Sequence, residues 1–134
     1  MKFLVVGHGC REHAIAKRLR KEGNEVLSFQ TKFNIGLENI CTSNIISHRY
    51  NSKKIVQAAK DNDIDIIVVG NEKAIFDGLT DLAERHHINC YAPNFSVSRL
   101  ESDKSFAKKF VSILLPPLKI PSIQVSNRYE AYRF

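Results

Sequence analysis

Seven consecutive residues near the start of the chain have the types and spacing to hold an anion: Gly7, His8, Gly9, Cys10, Arg11, Glu12 and His13. Gly7 and Gly9 let the backbone turn tightly and approach a ligand with no Cβ in the way. A helix beginning near Arg11 aims its free N–H groups and the positive end of its dipole at the same place, which suits a phosphate. Arg11 adds a guanidinium that can grip a phosphate with two donors. The plainer alternatives are a tight strand-to-helix turn for the glycines and a solvated charge for Arg11. A dinucleotide fingerprint is not met. Its third glycine falls on Glu12, and the acid that grips an adenosine ribose is missing where the second strand ends in Ser28, Phe29 and Gln30.

Two further segments carry candidate chemistry. In Gly70-Asn71-Glu72 a carboxylate follows a strand and can accept hydrogen bonds from a sugar diol; the alternative is an acid stabilised by a helix N-terminus. Lys104, Lys108 and Lys109 give a short helix a basic face, which either contacts nucleotide phosphates or is simply solvated over Phe106 and Phe110. His8 and His13 have no companions at metal-ligand spacing, and His86-His87 sits where it would cap a helix end. Cys10, Cys41 and Cys90 are odd in number and lack a Cys-x-x-Cys pair. A zinc site or disulfide framework is not expected, and a reducing compartment is.

The elements that must position these groups follow from patterning. Lys2–Val6 (KFLVV) and Asp65–Val69 (DIIVV) are apolar runs, each stopped by a glycine, as expected of buried parallel strands. Shorter strands are expected at Glu25–Phe29, Asn44–Ser47 and Ile88–Tyr91. Helices are expected at Arg11–Lys21, with Gly23 closing it, and at Ser52–Lys60, Ala74–Arg85 and Ser102–Val111, the last capped by Ser102. Residues 30–42 show no period and are expected to be a loop. Pro116-Pro117 breaks the chain, Ile120–Val125 is expected to be extended, and Arg128–Arg133 begins to look helical. Strands alternating with helices imply an α/β fold: a Rossmann-like open parallel sheet with helices on both faces. The two glycine-stopped strands would then be central and would flank one crevice at their carboxyl ends.

A chain of 134 residues suits one domain and the start of a second: residues 1–100 as the α/β domain and 101–134 as the beginning of the next. Apolar residues at 43% and charged residues at 25% are ordinary for a folded protein. Twenty basic against 14 acidic residues leave a net charge of +6, which suits an anionic partner or a basic, solvated surface. No recognition motif for nucleic acid accompanies the charge. The opening apolar run is too short for a signal peptide or a membrane span. A cytoplasmic protein with no membrane or nucleic-acid partner is the expectation.

Taken in order, these segments resemble the amino-terminal region of the phosphoribosylamine–glycine ligases. KFLVVGHGCREHA is similar to that family's opening strand and G-x-G-G-R-E-H-A. Asn34-Ile35-Gly36 is similar to its P-G-N-x-G, and DIIVVGNE to its strand and V-G-P-E. YAPNFSVSRLESDKSFAKKF is similar to F-G-P…A-x-L-E-x-S-K-x-F-x-K-x-F, and Ile120-Pro121-Ser122 to I-P-T. The resemblance runs from Met1 to about Val125. It implies a pre-ATP-grasp α/β domain leading into an ATP-grasp domain. It also implies a reaction in which ATP converts glycine to glycyl phosphate. The amine of phosphoribosylamine attacks that intermediate and yields glycinamide ribonucleotide, ADP and phosphate, with magnesium or manganese on the nucleotide. Carried over by residue, Gly7, Gly9 and Arg11 lie at the sugar-phosphate site, Glu72 faces the ribose hydroxyls, and Lys104 sits at the edge of the ATP site. Cys10 stands in place of the third glycine, where its Cβ would crowd the loop. Asn71 replaces a proline, and Lys73-Ala74 replaces Ala-Pro. Metal ligands and most of the ATP pocket are expected beyond residue 134. These residues alone are expected to bind the sugar phosphate but no cofactor, and not to be catalytically complete. A nicotinamide-binding oxidoreductase domain and a non-catalytic nucleotide or sugar-phosphate-binding module are the alternatives.

Overall fold

A computed structural model describes residues 1–133. The chain divides into one compact unit, Met1–Ser98, and a second from Arg99 onward. In the first unit β1 (Lys2–Val6), β2 (Glu25–Gln30), β3 (Ser43–Ile46), β4 (Ile66–Val69) and β5 (Asn89–Tyr91) form one sheet. Its order is β3-β2-β1-β4-β5 and every pairing is parallel. Strand order reverses between β1 and β4, the two glycine-stopped apolar runs. Val6 is in register with Phe29 on one side and Val69 on the other. A crevice opens beyond the carboxyl ends of strands at such a switch point.

Helices cover both faces, because the central strands are apolar on both. On one face Leu4, Val6, Leu27, Phe29 and Ile67 pack against Ile55, Val56 and Ala59 of α3 (Ser52–Asp61). Ala74 of α4 (Glu72–Phe76) and Leu79 and Ala83 of α5 (Leu79–Arg85) complete that layer. On the other face Val5 and Val26 pack against Ala16 of α1 (Cys10–Lys21) and Leu37 of α2 (Ile35–Ile40). The end of α1 explains why its length is fixed. Gly23, at φ 81°, donates to the Arg20 carbonyl, and Asn24 donates to that of Leu19. This pair of bonds satisfies the last carbonyls through a left-handed residue that glycine adopts without strain.

Three expectations need correction. Residues 30–42 are not all loop. The Asn34 side chain accepts from the N–H groups of Gly36 and Leu37 at 2.8 and 3.2 Å and starts α2, a helix too short to show a period. The helix expected over 74–85 is two helices. It breaks at Gly78, whose φ is 73°, and beside Asp77, whose carboxylate accepts both the N–H and the hydroxyl of Ser52. Ser102 does not cap the lysine helix. It ends α6 (Phe95–Ser102), and Asp103 caps α7 (Lys104–Leu114) by accepting from the Phe106 N–H at 2.9 Å. The second unit continues with a 3₁₀ turn at Pro116–Leu118 and with α8 (Arg128–Tyr132); residues 120–125 between them are in neither helix nor strand. Among the described residues no helix is long and apolar enough to cross a membrane.

Candidate functional site

The chain returns to the same point twice. Gly7 follows β1 and donates its N–H to the Phe29 carbonyl of β2; Gly70 follows β4 and donates to the Val6 carbonyl of β1. The glycines thus extend the ladder one step past the strands and end side by side. Between them lies Glu12, only 3% exposed. A Cβ built on Gly70 would stand 2.0 Å from Glu12 Oε1, and one on Gly7 would stand 2.4 Å from Glu12 Cγ. The Glu12 carboxylate accepts the Gly9 N–H at 2.5 Å. The acid that spoils the dinucleotide pattern is therefore a structural part of the loop. The expected crowding by Cys10 is not seen: Cys10 starts α1 and is exposed, and the side chain that fills the loop is Glu12.

Arg11 and Glu72, from opposite sides of the crevice, meet as an ion pair with Arg11 Nη2 at 3.0 Å from Glu72 Oε1. Arg11 Nε also lies 3.4 Å from Glu12 Oε1. Both Arg11 and Glu72 are well exposed, so their pair adds little stability. What it fixes is direction, since each holds the other over the ends of β1 and β4. The Glu72 carboxyl is held below its ordinary range, first by its own backbone N–H at the start of α4 and then by Arg11. Arg11 is in turn held protonated by Glu72. Because the folded value for Glu72 lies below the unfolded one, its contribution is complete above the unfolded value. It is lost as pH falls through the folded value. Arg11→Ala should move the Glu72 titration midpoint upward, measured by NMR of the side-chain carboxyl. An unmoved midpoint would mean that the pair does not form in solution.

The loop after β2 joins the same wall. Asn34, besides capping α2, donates its amide to the His8 carbonyl at 2.8 Å. His8 Nδ1 lies 2.9 Å from the Tyr50 hydroxyl and 3.2 Å from that of Thr31, and the His8 and Tyr50 rings stack at 6.4 Å. Burial pushes the Tyr50 hydroxyl up, which keeps it neutral. His13 packs against Gly36, where a Cβ would come within 2.9 Å of its Nε2. Both histidines are thus held by neighbours.

Gln30 ends β2 where a dinucleotide-binding fold would carry its ribose acid. It is fully buried, with its amide donating to Ser28 Oγ and Asn44 Oδ1. It is closed to a ribose, and Glu12 fills the space between the glycines. In the second unit, considered by itself, Lys104 is the first residue of α7. With Lys108, Lys109 and Lys119 it lines a concavity of about 610 Å³. Among the described residues no group of three or more His, Cys, Asp or Glu side chains is placed to hold a metal ion. Sequence reasoning brought Gly7, Gly9, Arg11 and Glu72 to one crevice but missed Glu12, whose burial becomes visible only once Gly70 stands beside it.

Comparison with known proteins is consistent along the chain. The family described as phosphoribosylglycinamide synthetase, N domain, matches residues 1–101. A phosphoribosylamine–glycine ligase of Methanobrevibacter smithii is 39% identical over 109 residues, covering 81% of this chain and 24% of the relative. The one from Methanosphaera stadtmanae is 33% identical over 138 residues, covering 100% of this chain and 30% of the relative. Among solved structures, a phosphoribosylamine–glycine ligase of Thermotoga maritima superposes with a TM-score of 0.61 at 29% identity, covering 84% of this chain and 25% of that one. The chain spans about a quarter to a third of the length of the curated relatives it matches.

Proposed function

This chain belongs to the phosphoribosylglycinamide synthetase N-domain family, and from that membership we propose that it supplies the phosphoribosylamine-binding part of a phosphoribosylamine–glycine ligase. The observation that carries the proposal is the meeting of Arg11 and Glu72 over the adjacent ends of β1 and β4. A carboxylate there accepts two sugar hydroxyls, and a guanidinium beside it keeps that carboxylate ionised and aimed. Gly7 and Gly9 make room for the Glu12 side chain, which fixes the turn beneath the pair that meets the sugar. Lys104 and its neighbouring lysines contribute one edge of an ATP site in the complete enzyme. In the parent reaction ATP activates glycine as glycyl phosphate, and the amine of phosphoribosylamine displaces phosphate. Magnesium supplies charge neutralisation on the nucleotide in that chemistry, but no residue of this chain is assigned to it. The part played by these residues is positioning: the sugar is held so that its amine points at the acyl phosphate. A dinucleotide-binding role is disfavoured by the filled loop and by the closed Gln30.

Calorimetric titration tests this directly. Ribose 5-phosphate, a stable stand-in for the substrate, is expected to bind, and NAD is not. With ATP, glycine and phosphoribosylamine supplied together, the 134-residue chain should release no ADP above background. Binding of NAD in place of the sugar phosphate, or sustained ADP release by this chain, would overturn the proposal.

A further inference from the structure

Resting on that function, we infer that the phosphate of the sugar is seated not by the glycine loop but by a neighbouring cationic cleft formed by Lys32, Arg49 and Lys73. The donors that make such a loop an anion site are partly used here. Gly7 donates its N–H to Phe29, and Gly9 donates to Glu12. The only cation at the loop, Arg11, already faces two carboxylates, Glu72 and Glu12. One positive and two negative charges leave the loop with a net charge of −1, which repels a phosphate dianion.

The cleft beside it has the opposite balance. It lies at the carboxyl ends of β1 to β4, has a volume of about 470 Å³, and is lined by His8, Lys32, Arg49, Tyr50, Lys73 and Asp77 among others. Among the described residues none of Lys32, Arg49 and Lys73 has a carboxylate within ion-pair distance. Asp77 is its one acid, and the Asp77 carboxylate is engaged by Ser52. Three positive charges and one negative leave the cleft at +2 with neutral histidines. Lys73 directly follows Glu72, so a sugar whose hydroxyls reach Glu72 has its phosphate within reach of this group. The Tyr50 hydroxyl, held 2.9 Å from His8 Nδ1, adds a neutral polar group to the wall. The ligand class is therefore a phosphomonoester carrying a diol.

The test uses the 134-residue chain, with ribose 5-phosphate and inorganic phosphate as probes in low-salt titrations. Lys32, Arg49 and Lys73 are exposed, so their removal should leave the unfolding transition in place. The double variant Lys32→Ala/Arg49→Ala should weaken both probes at least about tenfold, as expected for charge-assisted phosphate contacts. Glu72→Gln should weaken ribose 5-phosphate and leave inorganic phosphate unchanged. If ribose 5-phosphate binds the double variant as it binds the unaltered chain, or if Arg11→Ala alone abolishes phosphate binding, the cleft is not the seat and the proposed function survives. If ribose 5-phosphate does not bind the unaltered chain, the proposed function and this inference both fall.

Discussion

Gly70→Ala should destabilise the fold by about 3 kcal/mol or more, at the upper end for overpacking a filled interior. A methyl at this position would stand 2.0 Å from Glu12 Oε1 and 2.7 Å from Cγ and Cδ. Glu12 cannot simply swing away, because Gly7 hems its Cγ and Gly9 holds its carboxylate. The backbone of Gly70 is also pinned by its bond to Val6. The measurement is a denaturant unfolding curve. A loss below about 1 kcal/mol would show that the loop yields easily, and that the packing described here is loose. The double variant Gly70→Ala/Glu12→Ala should lose less than the sum of the two single losses, because the clash is specifically with Glu12. Such a coupling is expected to be roughly 1–2 kcal/mol between touching residues.

Glu12→Ala by itself should cost about 2–3 kcal/mol. The substitution strips a buried acceptor from the Gly9 N–H and leaves a void between three glycines. An unsatisfied buried donor and a cavity are each worth a kilocalorie or more. Glu12→Gln separates shape from charge. The amide fills the same space and its oxygen can still accept from Gly9, so it should lose about 1 kcal/mol, nearer the value for an ordinary hydrogen bond. Unfolding curves for both variants give the comparison. Equal losses would mean that the charge, through Arg11, matters more than the filling of space.

The strands and the central place of β1 and β4 were legible because each leaves a local mark. KFLVV and DIIVV are apolar on both faces and end in glycine, and only central strands of a parallel sheet need that combination. The breaks in the helices were less legible. The 74–85 segment keeps a helical pattern across Gly78, and what splits it is the attachment of Asp77 to Ser52, a contact distant in sequence. The short helix after Asn34 has too few residues to reveal a period. At the crevice, Arg11 and Glu72 were candidates by residue type, and the family resemblance rather than the local pattern favoured them. Glu12 was not, since an acid in the first turn of a helix ordinarily signals the dipole rather than burial. Its neighbour Gly70 enters the loop from another strand. The cationic cleft was hidden for the same reason, as Lys32, Arg49 and Lys73 belong to three different connections.

Glu12 has one more consequence. Because the glycine loop closes on an acceptor supplied by its own chain, its shape does not depend on any ligand being present. Binding and architecture are therefore separable in this molecule. Substitutions at positions such as Cys10 and Asn71 can accumulate, and ligand contacts can be traded, while the turn keeps its form. A lineage can drift in what it holds here without first losing the shape that holds it.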